Sequence, residues 1–174
     1  MKLNIRVLVM LALLIGIGTV LHAIMPPIFG VKPDMLLSMM FLGIIMFPRP
    51  QYVLLVSLLA GAMSALTTQV PGGQIANMID KPITAFAFLG LYLLIGKKVR
   101  GPIAAPVLTA VGTMISGSIF VSVIVFILAS IPVGFTALFV GVVLPATLVN
   151  TVVMIVLYPV VQSIMKRSRL STAA

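Results

Sequence analysis

The chain has 174 residues, 61% hydrophobic and 7% charged, with a mean hydropathy of +1.32, whereas a soluble domain carries about 25% charged residues, so the expected solvent is a bilayer. No cysteine and one histidine exclude disulfides, thiolate catalysis and a nitrogen- or sulfur-rich metal centre. Two acids leave little for carboxylate-pair hydrolysis or a hard-cation cage, so no catalytic residue, cofactor or metal is assigned and the chain reads as a non-enzyme.

A helix needs about 20 apolar residues to cross ~30 Å of hydrocarbon, and the sequence predicts six crossings, near 5–25, 34–48, 50–69, 80–96, 102–130 and 136–164. Runs such as Val53 to Ala62 do not alternate in polarity, so a compact all-α bundle is expected and not a barrel. The first run follows Lys2 and Arg6 as a signal peptide would, but it spans about 20 residues without a small-x-small exit and reads as a retained span. The second is short, because Pro33 and Pro48 leave 14 residues between them, about 21 Å of helix. An outer end below the headgroups draws Asp34 inward, where a charge needs a partner or water. The last two runs are long enough to tilt or kink, with a break expected at Pro145. The loops between spans are short and no internal repeat is evident, so residues 1–174 are expected to form one membrane domain.

Six crossings put both termini on one side. Lys2, Arg6, Arg49, Lys97, Lys98, Arg100, Lys166, Arg167 and Arg169 fall on that side, nine of the 11 basic residues, while Lys32 and Lys81 fall opposite beside Asp34 and Asp80. By the positive-inside rule the termini are cytoplasmic. The net charge of +9 is then an orientation signal facing anionic lipid, and nucleic acid is not a partner.

The stretch Gly90 to Lys98, GLYLLIGKK, is no phosphate loop: it has five residues between its glycines and a second lysine where Ser or Thr is needed. Any ATP hydrolysis would belong to another subunit. Polar side chains gather at the outer ends of the spans: His22, Lys32, Asp34, Thr67, Thr68, Gln69, Gln74, Asn77, Asp80, Lys81 and Thr84. Among them lies VPGGQ, whose Gly72 and Gly73 allow close approach of backbone N–H groups to a ligand. The set reads as a binding site for something small and polar at one end.

Structural roles compete at each position. Asp80, two residues before Pro82, and Asp34, after Pro33, suit helix N-caps, as does Asn77. Lys32 and Lys81 suit pairing with the adjacent acids, His22 an interfacial position, and Met35, Met39, Met40 and Met46 core packing. Asn150 suits bonding to carbonyls freed by a kink at Pro145. Small residues four apart, Ala12 and Gly16, Gly61 and Ala65, Gly112 and Ser116, permit close helix contact, and the first pair, with Thr19 nearby, suits another protein's helix.

Three stretches carry a resemblance: LHAIMPP (Leu21 to Pro27), KPDMLLSMMFLGIIMFPR (Lys32 to Arg49) and SALTTQVPGGQIANMIDKPITAF (Ser64 to Phe86). Over this half of the chain it resembles the S components of energy-coupling factor transporters, and among them the tryptophan transporter family of Gram-positive bacteria. The resemblance implies a six-helix protein of the bacterial plasma membrane that captures its nutrient at the outer face. A transmembrane coupling protein and two ATPases then drive uptake, with the S component toppling to release its ligand inside. It also implies a partner contact at Ala12 and Gly16, where the family pattern is AxxxA. For tryptophan, Asp80 or Asp34 would take the ammonium, and Lys81, Lys32 and the N–H groups of Gly72 and Gly73 the carboxylate. Met39, Met40 and Phe86 would enclose the ring, Gln74, Asn77 or Thr67 would meet its N–H, and the loop Pro26 to Pro33 would be a lid. The alternatives are an S component for another small aromatic or vitamin nutrient, a stand-alone secondary carrier, which would need an acid within a span where the sequence is expected to place none, or a scaffold for another membrane complex.

Overall fold

The computed structural model describes residues 4–26, 32, 34–96, 101–129 and 132–167, and every regular element among them is helical. Most of the expected lid lies outside the described residues, as do Lys2, Lys97, Lys98, Arg100 and Arg169, on which the orientation count partly rests.

Helix α1 (Ile5–Ile24) starts where the Asn4 side chain accepts the Arg6 N–H at 3.0 Å. Helix α2 (Met35–Met46) starts where Asp34 accepts the Leu37 N–H at 2.9 Å, so Asp34 is a cap as expected. Helix α3 (Pro50–Thr67) has its proline in the first turn, where the missing N–H costs nothing. Helix α4 (Gly73–Leu91) continues through a π turn, Tyr92–Gly96, and α5 (Gly101–Ser122) through another, Val123–Ile127. A short α6 (Phe135–Leu138), a third π turn (Phe139–Val143) and α7 (Leu144–Arg167) follow one another directly.

Among the described residues, five stretches are long and apolar enough to cross a membrane: Ile5–Ile24, Pro50–Thr67, Gly73–Ile95, Pro102–Ile127 and Phe135–Met165. The sixth expected span, α2, has 12 residues and so rises about 18 Å, well short of the hydrocarbon thickness. Its position explains this. Ten consecutive residues, Met35 to Ile44, are buried, and α2 touches α1, α3, α4, α5 and α7, so it is the central post of the bundle.

Two expected boundaries move. The fourth helix begins at Gly73 and not near 80, because Pro82 sits inside it: in a bundle, neighbours re-satisfy the carbonyl that a proline frees. The last rod does not break at Pro145, because the wider π turn Phe139–Val143 comes immediately before and makes room for the ring. Two end contacts fix the topology. The Asn4 N–H donates to Tyr52 Oη at 3.0 Å, bringing the starts of α1 and α3 together, and His22 near the end of α1 meets Asp34 at the start of α2. The core is apolar and tightly layered. Phe41 and Phe88 stack at 4.0 Å between centroids against Gly112, whose missing Cβ would lie 2.7 Å from Phe41 Cζ. Val9, Leu13, Ile17, Leu148, Val152 and Val156 are exposed, a belt suited to lipid.

Candidate functional site

At the end of the bundle where α1 stops and α2 starts, the helices enclose a cavity of about 390 Å³, within the range of roughly 300–1,000 Å³ typical of small-molecule sites. Gly61 lets α3 and α4 close together there: a Cβ on it would lie 3.3 Å from the Asn77 carbonyl oxygen and 3.5 Å from Lys81 Cβ.

Lys81 is the centre of the charged wall. Its Nζ donates to Asp34 Oδ2 at 2.8 Å and to Asp80 Oδ2 at 2.9 Å, and its side chain is 2% exposed. Asp80 is fully buried, and its oxygens also accept the Thr84 and Ser116 hydroxyls, each at 2.7 Å. This carboxylate has no N-cap role: it lies within α4, a further departure from expectation, and an acid does therefore sit inside a span. Asp34 differs, since its side chain is 24% exposed. The Asp34 N–H donates to Asn150 Oδ1 at 3.1 Å, and His22 Nδ1 lies 3.8 Å from Asp34 Oδ1. Asn150 therefore ties α7 to α2 and Thr113, where bonding to kink carbonyls was expected. Lys32 borders the cavity and has no ion pair among the described residues, because its expected partner Asp34 is bonded to Lys81 instead. Two lysines and two acids, Lys32, Lys81, Asp34 and Asp80, make the cluster formally neutral with His22 uncharged. The facing wall is apolar, formed by Phe120, Val121, Ile124, Leu138, Val142 and Val143.

Of the polar residues singled out from the sequence, His22, Lys32, Asp34, Thr67, Thr68, Gln69, Asn77, Asp80, Lys81 and Asn150 line this cavity. Thr84 stands behind it, bonded to Asp80. Met39 is packed in the core against Gly18, Met40 is fully buried there, and Phe86 is 42% exposed on the outer surface. Gly72, Gly73 and Gln74 do not line the cavity. Gly72 takes a left-handed conformation (φ 74°) to turn α3 into α4, and the Gly73 N–H is already donated to the Val70 carbonyl at 2.9 Å. Ala12 and Gly16 are exposed on α1, and nothing lies within 4 Å of where a Gly16 Cβ would be.

Sequence reasoning passed over Ser64, Thr113 and the apolar wall of α5, α6 and the π turn that follows it, and it weighed Ser116 only as a small residue. One signal was available. Thr109, Thr113 and Ser116 recur at three- and four-residue spacing on a largely apolar helix, which marks a single inward face.

A family model described as "Tryptophan transporter TrpP" matches residues 4–166. The chain is 50% identical over 168 residues to a "Probable tryptophan transport protein" of Bacillus subtilis (strain 168), with 96% of each chain covered. Proteins of the same name from Clostridium acetobutylicum and Clostridium perfringens are 35% identical over 168 residues and 33% identical over 176 residues. These cover 95% and 96% of this chain and 97% of each relative. No solved structure gives a significant match.

Proposed function

The chain belongs to the tryptophan transporter family, and from that premise we propose that it is the substrate-binding S component of an energy-coupling factor transporter, capturing L-tryptophan in this cavity. Its termini are cytoplasmic, the cavity opens to the outside of the bacterial plasma membrane, and a transmembrane coupling protein with two ATPases drives release inward.

The observation that carries this reading is the division of the cavity into a neutral cluster of fixed charges and an apolar wall. A zwitterion adds no net charge to such a site, and its indole ring covers the wall around Phe120 and Ile124. The ammonium goes to Asp34, because Asp80 already accepts from Lys81, Thr84 and Ser116 and is closed to solvent. Lys32 takes the carboxylate. Lys81 and Asp80 hold Asp34 in place, and His22, Thr67 and Asn77 complete the polar wall. Met39, Gly72, Gly73, Gln74 and Thr84 support this site from outside the cavity.

Asp80 inside α4 gives the stand-alone carrier one observation in its favour, since coupling to protons needs an acid within a span. Its engagement by one ammonium and two hydroxyls opposes proton exchange, so the S-component reading is preferred.

Capture needs only this cavity, so the purified chain should bind L-tryptophan without nucleotide. It contains no Trp and three Tyr, so blue-shifted indole emission from a washed complex reports bound ligand directly. Absence of both that emission and calorimetric heat at micromolar tryptophan overturns the substrate. Uptake that persists without the ATPases and stops on collapse of the proton gradient favours the carrier.

A further inference from the structure

Ser64 lies on α3, 2% exposed, and its Oγ has no hydrogen-bond partner among the described residues. Other hydroxyls of this chain turn back onto their own helix, as Thr67 does to the Met63 carbonyl at 2.7 Å and Thr147 to the Val143 carbonyl at 2.8 Å. Ser64 makes no such bond, and it is one of the residues that line the cavity. Ser38 and Thr109 also lack partners, but neither borders the cavity, so among the described residues Ser64 alone combines an unmatched buried hydroxyl with a place in the cavity wall.

Its neighbours are already engaged. Asn77 Nδ2 donates to the Gly73 carbonyl at 2.8 Å and to the Ser64 carbonyl at 3.5 Å, and Thr68 Oγ1 accepts the Val70 N–H at 3.3 Å. A buried hydroxyl left unmatched favours whichever ligand supplies its partner. With the ammonium on Asp34 and the carboxylate on Lys32, the one polar atom left on an indole amino acid is the ring N–H. We propose that Ser64 accepts the indole N–H and so sets the preference for tryptophan over ring isosteres that lack a donor. This rests on the reading of the cavity as the tryptophan site.

The test compares L-tryptophan with L-3-benzothienylalanine, in which sulfur replaces the ring N–H, on the full-length parent and on Ser64→Ala. The parent should prefer tryptophan by about tenfold, and Ser64→Ala should lose that factor for tryptophan while holding the sulfur analogue within about twofold of the parent. The melting temperature of the unliganded variant should not fall, because the hydroxyl has no protein partner to lose. If the parent binds both ligands equally, if the preference survives in Ser64→Ala, or if both ligands weaken together, the role of Ser64 is overturned and the tryptophan site stands. If the parent binds neither ligand, the tryptophan site fails and Ser64 with it.

Discussion

Asp34 and Asp80 share Lys81 but not their surroundings, and the difference assigns them different work. Asp34→Asn keeps an oxygen for the Leu37 N–H and leaves the Lys81–Asp80 pair whole, while it removes the charge that faces the cavity. Tryptophan affinity should fall by more than about tenfold, the worth of a hydrogen bond to a charged group, with a small loss of stability. Asp80→Asn instead removes a buried carboxylate that accepts from Lys81, Thr84 and Ser116, and should lower thermal stability by about 3 kcal/mol. Melting curves and titrations of the two variants check both outcomes, and equal effects on binding and stability would refute the division. The charged residues were conspicuous in so apolar a sequence, but their pairing was not. Adjacency suggested Lys32 with Asp34, whereas the bond runs from Lys81 to Asp34 across 47 positions. Helix ends distant in sequence meet in a bundle, and only tertiary packing decides which.

At the scale of helices, the spans were legible because each is a long apolar run, and α2 was legible as short because two prolines bracket it. The start of α4 and the continuity of the last rod were not, since both depend on how neighbours accommodate Pro82 and Pro145. Packing between helices was legible only as small-residue spacing. Gly112 gives that spacing a measurable meaning: a methyl group there would press on Phe41 Cζ at 2.7 Å and Phe88 Cδ2 at 2.8 Å. Gly112→Ala should therefore destabilise by about 1–3 kcal/mol. Gly90, also helical, has nothing within 4 Å of its would-be Cβ, so Gly90→Ala should leave stability unchanged or raise it by up to about 1 kcal/mol. Thermal unfolding in detergent, followed by circular dichroism, separates the two. The polar face of α5 was missed because Gly112 and Ser116 were weighed as small residues, and Thr113 was not weighed as a polar one.

At the scale of the whole protein, exposed aliphatic side chains run along α1, α3 and α7, so the bundle is finished by lipid or by another membrane protein. If the smooth face of α1 at Ala12 and Gly16 meets the coupling protein, Gly16→Leu should hold the helices apart without reaching the cavity, which α1 borders only at His22, beyond Gly16 toward its C-terminal end. Tryptophan affinity in detergent should match the parent, while uptake in cells that also express the coupling protein and ATPases should fall to near background at equal membrane levels. Surviving uptake, or affinity lost together with uptake, moves the partner surface elsewhere.

The charged knot around Lys81 also has a history. When α4 leaves the ribosome it carries Asp80 and Lys81 side by side, and each costs roughly 2.5–3.5 kcal/mol at the centre of a span that enters lipid alone. Asp34 has been synthesised by then and waits at the head of α2, whereas Ser116 arrives 36 residues later on α5. Pairing with Asp34 at the head of α2 offsets part of that cost when α4 enters, and Asp80 gains its last donor when α5 follows. The contacts that define the site thus become available in chain order, Asp34 before α4 and Ser116 after it.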